Sequence, residues 1–182
     1  MRKFFFLLFA FCTISVSART SAYYNVRAGV EYAPTISHGE ADFGFAFMFQ
    51  PNICFGNQKQ FTFSPTLQYD VTVGEEVSHR IHVPLLLGYR VRMGERSFFV
   101  PKIGPTLGYS TTTDNGDSDG ISSALIGPYV DLCFELHRFV LGLGGYYSFI
   151  SGDAYKNGPY GRYLYHSGHN AYALTLSFGY KF

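Results

Sequence analysis

Residues 169–182 alternate almost without fault between large apolar and small or polar side chains. Tyr172, Leu174, Leu176, Phe178, Tyr180 and Phe182 share one parity, and Ala171, Ala173, Thr175, Ser177, Gly179 and Lys181 share the other. A period of two predicts a β-strand, because successive side chains leave a pleated chain on opposite faces. Seven earlier stretches carry the same pattern: residues 23–33, 42–55, 61–73, 80–92, 98–110, 122–136 and 139–150. The connections alternate as well. Short ones (56–59, 93–96 and 137–138) follow the second, fourth and sixth stretches, and generally longer ones (35–41, 74–78, 111–121 and 151–168) follow the odd stretches.

The apolar parity carries no Asp, Glu, Lys or Arg in any of the eight stretches. That decides which way the sheet faces. An eight-stranded barrel has a lumen only just wide enough for side chains to fill, and this many Phe, Tyr and Leu residues would not fit there. The small, polar parity does fit. The expectation is therefore an all-β, eight-stranded antiparallel transmembrane β-barrel, with its apolar face in lipid and its polar face inside. Pro65, Pro84, Pro101, Pro105 and Pro128 fall within the strands, where each deletes a ladder donor. Either bulges absorb them, with local shifts of parity, or the sector holding Pro84, Pro101, Pro105 and Pro128 is weakly paired and open sideways to an acyl chain.

Composition agrees with an all-β chain. Tyr and Phe number 15 and 19, Gly numbers 20 and Trp is absent. Arg2 and Lys3, an apolar core at residues 4–11 and Val16-Ser17-Ala18 have the layout of a secretory signal peptide over residues 1–18. Residues 19–182 then form one barrel domain. No apolar run approaches the ~20 residues of a spanning helix. The net charge of +1 gives no reason to expect nucleic acid as a partner. Cys54 and Cys133 fall on strands about half a barrel apart, beyond the ~4.4–6.8 Å Cα separation of a disulfide, and are expected as buried thiols.

Short motifs carry a resemblance. Residues 81–89 (Ile-His-Val-Pro-Leu-Leu-Leu-Gly-Tyr), Ile103-Gly104-Pro105, Ile126-Gly127-Pro128-Tyr129 and Leu143-Gly144-Gly145-Tyr146-Tyr147-Ser148 resemble the PorT-like outer-membrane β-barrel family of Bacteroidota. The resemblance implies a bacterial outer-membrane location, both termini in the periplasm, and contact with outer-membrane lipid and lipopolysaccharide. Similarity to outer-membrane barrels also implies that the terminal Phe182 is the signal read by the barrel-assembly machinery. One subgroup of the family serves a secretion system; its motifs here mark architecture only.

Candidate chemistry falls into two groups. Inward-facing charges form an expected lumen network of Arg27, Glu31, Arg80, Arg90, Arg92, Lys102, Asp131 and Glu135, joined by Asp42, Asp70 and Lys181. Arg90, Arg92, Lys102, Asp131 and Glu135 are expected to converge near the periplasmic end. Buried charges need partners, so this network reads first as a plug. The fourth long connection offers Tyr155, Tyr160, Arg162, Tyr163, Tyr165 and His166 among small polar residues, a composition suited to a binding loop. Asn115, Asp117, Asp119 and Gly120 match the start of a calcium loop, but Ile126 stands where a bidentate Glu is required. Loop histidines such as His166 and His169 are expected to be solvated. Neither a catalytic set, a cofactor site nor a metal site is assigned. The expected role is structural or adhesive, through the external loops toward an unidentified ligand. The alternatives are an enzyme modifying outer-membrane lipid and an accessory component of a secretion system.

Overall fold

The computed structural model describes residues 20–34, 41–73, 76–114, 121–151, 153–158, 161–166 and 170–182. Twelve strands follow in order: β1 (Ser21–Pro34), β2 (Ala41–Phe55), β3 (Phe61–Pro65), β4 (Leu67–Val73), β5 (Glu76–Tyr89), β6 (Val91–Arg92), β7 (Ser97–Asp114), β8 (Ile121–Leu136), β9 (Phe139–Ser151), β10 (Asp153–Gly158), β11 (Gly161–His166) and β12 (Asn170–Lys181). β3 continues into β4 and β5 into β6, so these two pairs each make one stave of the wall. β10 and β11 pair only with each other. The other strands close a ring of eight antiparallel staves, sealed by β1 against β12. Closure removes the unpaired edges that an open sheet would present. The short turns lie at the same end as Ser21 and Lys181, and the long connections lie at the other.

Parity survives the whole circuit. Phe43, Phe45 and Phe47 on β2 and Leu174, Leu176 and Phe178 on β12 are exposed, while Ala46, Met48, Thr175 and Ser177 are buried. The prolines shift none of it: Pro105 and Pro128 face outward and Pro84 inward. Their cost appears in the ladders instead. Between β5 and β7 the paired register breaks after Pro84↔Thr106 and resumes at Leu87↔Ile103. Between β8 and β9 it breaks after Ile126↔Phe149 and resumes at Tyr129↔Tyr146. In each gap a proline stands opposite a carbonyl that its missing N–H would have served, Pro105 opposite Leu85 and Pro128 opposite Tyr147. The preceding glycine closes the space. A Cβ on Gly104 would lie 1.9 Å from the Leu85 carbonyl oxygen, and one on Gly127 would lie 1.8 Å from that of Tyr147. Only glycine, with no Cβ, allows the strands to lie this close. Thr66, between β3 and β4, has a related cause. Its N–H donates to the Pro84 carbonyl at 2.8 Å, and Pro84 has no N–H to return.

Aromatic residues ring the wall at the short-turn end. Tyr24, Phe49, Phe61, Tyr89, Phe134, Phe139, Phe178 and Phe182 are all exposed there. Ring pairs join neighbouring staves, including Phe55 with Phe61, Phe61 with Tyr89, Phe99 with Phe134, and Phe139 with Phe178. A second set, Tyr32, Phe43, Tyr69, Tyr109, Tyr147 and Tyr172, lies toward the long connections. From Phe99 to Tyr109 the strand climbs about 25 Å at ~3.3 Å per residue and ~40° tilt, the height of the apolar band of a membrane barrel. Among the described residues no helix is long and apolar enough to cross a membrane.

Three expectations need correction. Residues 77–78 and 111–114 are not loop but paired strand, Val77 with both Val73 and Thr113 and Ser78 with Thr112. The fourth long connection is not wholly irregular, since its backbone forms the β10–β11 hairpin, with Tyr155 opposite Leu164 and Lys156 opposite Tyr163. Both extensions lie beyond the apolar belt, so hydrophobic alternation gives no sign of them. Arg92 does not enter the lumen; it is exposed at the short-turn rim and donates to the Gly94 carbonyl at 3.1 Å. The tight turn before Ser97 begins there, and the wall no longer encloses an interior. Cys54 and Cys133 are free and buried, as expected.

Candidate functional site

The lumen is filled by three tiers of paired polar side chains. At the short-turn end Glu135 accepts from Tyr23, from Arg90 at 3.1 Å and from Lys181 at 3.1 Å. Arg90 lies over the Phe98 ring, its guanidinium carbon 3.9 Å from the centroid. In the middle tier Arg27 grips Asp131 with both arms, at 3.0 and 2.7 Å. Gln50 donates to the same carboxylate at 3.1 Å, and Lys102 donates to Gln50 at 2.6 Å and Asn52 at 2.8 Å. The bidentate geometry suits a planar guanidinium meeting a carboxylate. Gly142 makes room for it, because a Cβ there would lie 2.1 Å from the Arg27 Nη1.

The upper tier holds two further pairs. Arg80 donates to Glu31 at 2.6 Å, Tyr146 at 2.8 Å and Thr72 at 3.0 Å. His82 Nε2 lies 2.7 Å from Asp70, and its Nδ1 lies 3.0 Å from the Thr106 hydroxyl. Tyr129 and Tyr146 stack with ring centroids 6.1 Å apart, and both lie against the His82 ring. Tyr129 donates to Gln68 at 2.8 Å. A Cβ on Gly144 would come within 2.8 Å of the Tyr129 hydroxyl. Gly144 therefore makes room for the Tyr129 ring. Arg27, Glu31, Lys102, Asp131, Glu135 and His82 are all essentially without solvent exposure.

Seven of the eight expected network residues thus face the lumen, but they do not form one cluster. Asp131 belongs to Arg27 and Lys102 to Gln50 and Asn52, so only Arg90 and Glu135 meet at the short-turn end. Sequence reasoning missed the neutral members Gln50, Asn52, Gln68, Tyr129 and Tyr146 and the His82–Asp70 pair. All lie on the inward parity, which was the available signal. What was lacking was the register between staves. Phe182 is exposed at the seam, its N–H donating to the Tyr24 carbonyl at 2.9 Å and its ring 4.8 Å from that of Tyr180. The calcium-like stretch 115–120, Tyr160, and the side chains of Tyr155, Arg162, Tyr163, Tyr165, His166 and His169 lie outside the described residues.

No family model matches the chain, and no curated protein matches it in sequence. Solved structures match its fold. Neisserial surface protein A superposes with a TM-score of 0.58 at 14% identity, over 89% of this chain and 97% of that one. The outer membrane protein OprG from Pseudomonas aeruginosa gives 0.55 at 15% identity, over 90% and 97%. Ail, the attachment invasion locus protein of Yersinia pestis, solved with the heparin analogue sucrose octasulfate, gives 0.53 at 15% identity, over 89% and 99%. At these identities the likeness is one of fold.

Proposed function

We propose that the chain is a small bacterial outer-membrane barrel without enzymatic activity, whose work is binding or adhesion through the connections beyond β9 and its long-connection neighbours. The supporting observation is the filled lumen. Three tiers of charge pairs and a stack of Tyr129, Tyr146 and His82 occupy the interior, which leaves the outer connections as the surface with freedom to engage a ligand. Loops carried on a rigid scaffold are where barrels place recognition. The fold likeness to a protein named for attachment and invasion is consistent with this reading. The short motifs favour the PorT-like family as its home, with both termini in the periplasm. Lipopolysaccharide would meet the outer belt, and Phe182 would engage the assembly machinery.

Replacing residues 153–166 with a short turn tests the proposal. The variant should reach the cell surface and keep a heat-modifiable barrel while its cells lose attachment to protein- or glycan-coated surfaces. Undiminished attachment overturns the role given to this connection.

One arrangement supports a lipid-modifying enzyme as the second reading. Thr106, His82 and Asp70 form a hydroxyl–imidazole–carboxylate line, the geometry of an activated nucleophile. It lies just inside the interrupted ladder between β5 and β7. A substrate would have to displace Tyr129 or Tyr146 to reach Thr106, which has no solvent exposure, and this ranks it second. Altered lipid A on overproduction, abolished by Thr106→Val, would raise it to first.

A further inference from the structure

Charge is sorted along the barrel axis. The lumen holds Glu31, Asp70, Asp131 and Glu135, the short turns hold Glu95, and every other acid falls in or beside the long connections. The bases divide the opposite way. Outside residues 1–19 and the lumen, the short-turn end carries Lys59, Arg92, Arg96 and Arg138, while the long connections carry only Lys156 and Arg162. The cations of the short-turn end come from all three turns, so they form a ring and not a patch. Arg92, Arg96 and Arg138 are exposed. Their hydrogen bonds run to groups other than carboxylates: Arg92 to the Gly94 carbonyl at 3.1 Å, Arg96 to the His137 ring at 2.9 Å, and Arg138 to the Tyr180 hydroxyl at 3.0 Å.

The last of these contacts fixes a height. Tyr180 packs on Phe139 and Phe182 within the aromatic ring of the short-turn end. Arg138 is therefore held at the polar edge of that ring, with guanidinium donors to spare beyond the one that Tyr180 uses. Aromatic rings of this kind sit at headgroup level. Outward from the middle of the wall, a lipid would meet aliphatic side chains, then aromatic rings, then cations. That order matches a phospholipid with a net anionic headgroup.

We propose that the short-turn rim, formed by Lys59, Arg92, Arg96 and Arg138, is a binding surface for anionic phospholipid headgroups of the leaflet it enters. The proposal rests on the lipid-facing reading of the belt but not on which side of the membrane the rim occupies. Cations at a bilayer surface attract anionic lipid additively and lose that attraction as salt screens them. The long-connection end, with its excess of acids, supplies no comparable site.

The test is the association of spin-labelled lipids with the full barrel in symmetrical phosphatidylcholine bilayers. Labelled phosphatidylglycerol should enter the motionally restricted shell with about three-fold or greater preference over labelled phosphatidylcholine at low salt. The preference should fall toward unity in high salt. It should vanish in the variant Lys59→Gln/Arg92→Gln/Arg96→Gln/Arg138→Gln and persist in Lys156→Gln/Arg162→Gln. The salt response of the unaltered protein keeps the test decisive if the four-fold variant fails to fold. A restricted shell that shows no headgroup preference, or a preference unchanged in the four-fold variant, overturns the proposal while leaving the lipid-facing belt intact. No restricted shell with any lipid overturns both.

Discussion

Arg27 shows what single residues contribute here. Its guanidinium makes two bonds to Asp131 and further ones to Ser177 at 3.3 Å and Cys133 at 3.4 Å, all out of contact with solvent. Removing one member of such a pair leaves a buried charge with no counter-charge, which costs ~3–5 kcal/mol, whereas replacing both by apolar groups is often close to neutral. Arg27→Met should therefore destabilise the barrel by about that amount in urea titrations in lipid vesicles. Arg27→Met/Asp131→Leu should recover part of the loss, since Lys102 then keeps only the neutral Gln50 and Asn52 as partners. A double variant as unstable as the single one would show that Gln50 and Lys102 depend on the Asp131 carboxylate more than Arg27 does. The inward direction of both charges was legible from parity alone. Their partnership was not, because it joins β1 to β8 across the lumen, and such a pairing depends on the stagger accumulated around the ring.

At the level of the strand, alternation foretold nearly everything inside the apolar belt and nothing outside it. β12 is the plainest case. Leu176 is 52% exposed on the belt, while Thr175 is buried and donates to Glu31 at 3.3 Å. Leu176→Arg should cost ~2–4 kcal/mol, the penalty for a cation near the bilayer midplane. Thr175→Arg should instead fail by crowding Glu31 and Arg80. A neutral Leu176→Arg in bilayer refolding would reverse the assigned faces. The prolines were legible as a problem but their solution was not. Sequence reasoning offered bulges or a loose sector; the register is the same on both sides of each gap, so no bulge forms, and the ladder is interrupted where Gly104 and Gly127 let the facing carbonyls approach. Gly104→Ala and Gly127→Ala should force those staves apart and speed amide hydrogen exchange at neighbouring positions such as Thr106 and Tyr129. Gly94→Ala, where a Cβ would stand 3.7 Å from the Ser97 Cβ, should leave exchange in the wall unchanged.

Across the whole molecule, the tiers act together as a plug. The staves contribute mostly small or polar residues inward, so the lumen is narrow, and the long polar side chains that enter it are tied to partners on other staves. Glu135 on β8 joins Tyr23 on β1, Lys181 on β12 and Arg90 beside β6, which fastens the short-turn end of the ring from three directions. Charges buried this deeply are weakly screened by salt, so ionic strength alone should not loosen them. For ions to pass, all three tiers would have to part, and an eight-stranded wall leaves no wider path around them. Planar-bilayer recordings should accordingly show no steady single-channel current, at low or at molar salt. Arg27→Ala/Asp131→Ala opens only part of the middle tier, where Lys102, Gln50 and Asn52 remain, and should stay silent, because Glu135 with its donors below and Arg80 with Glu31 above still close the path. A persistent current from the unaltered protein would refute the plug, and with it the argument that recognition belongs to the connections outside the wall.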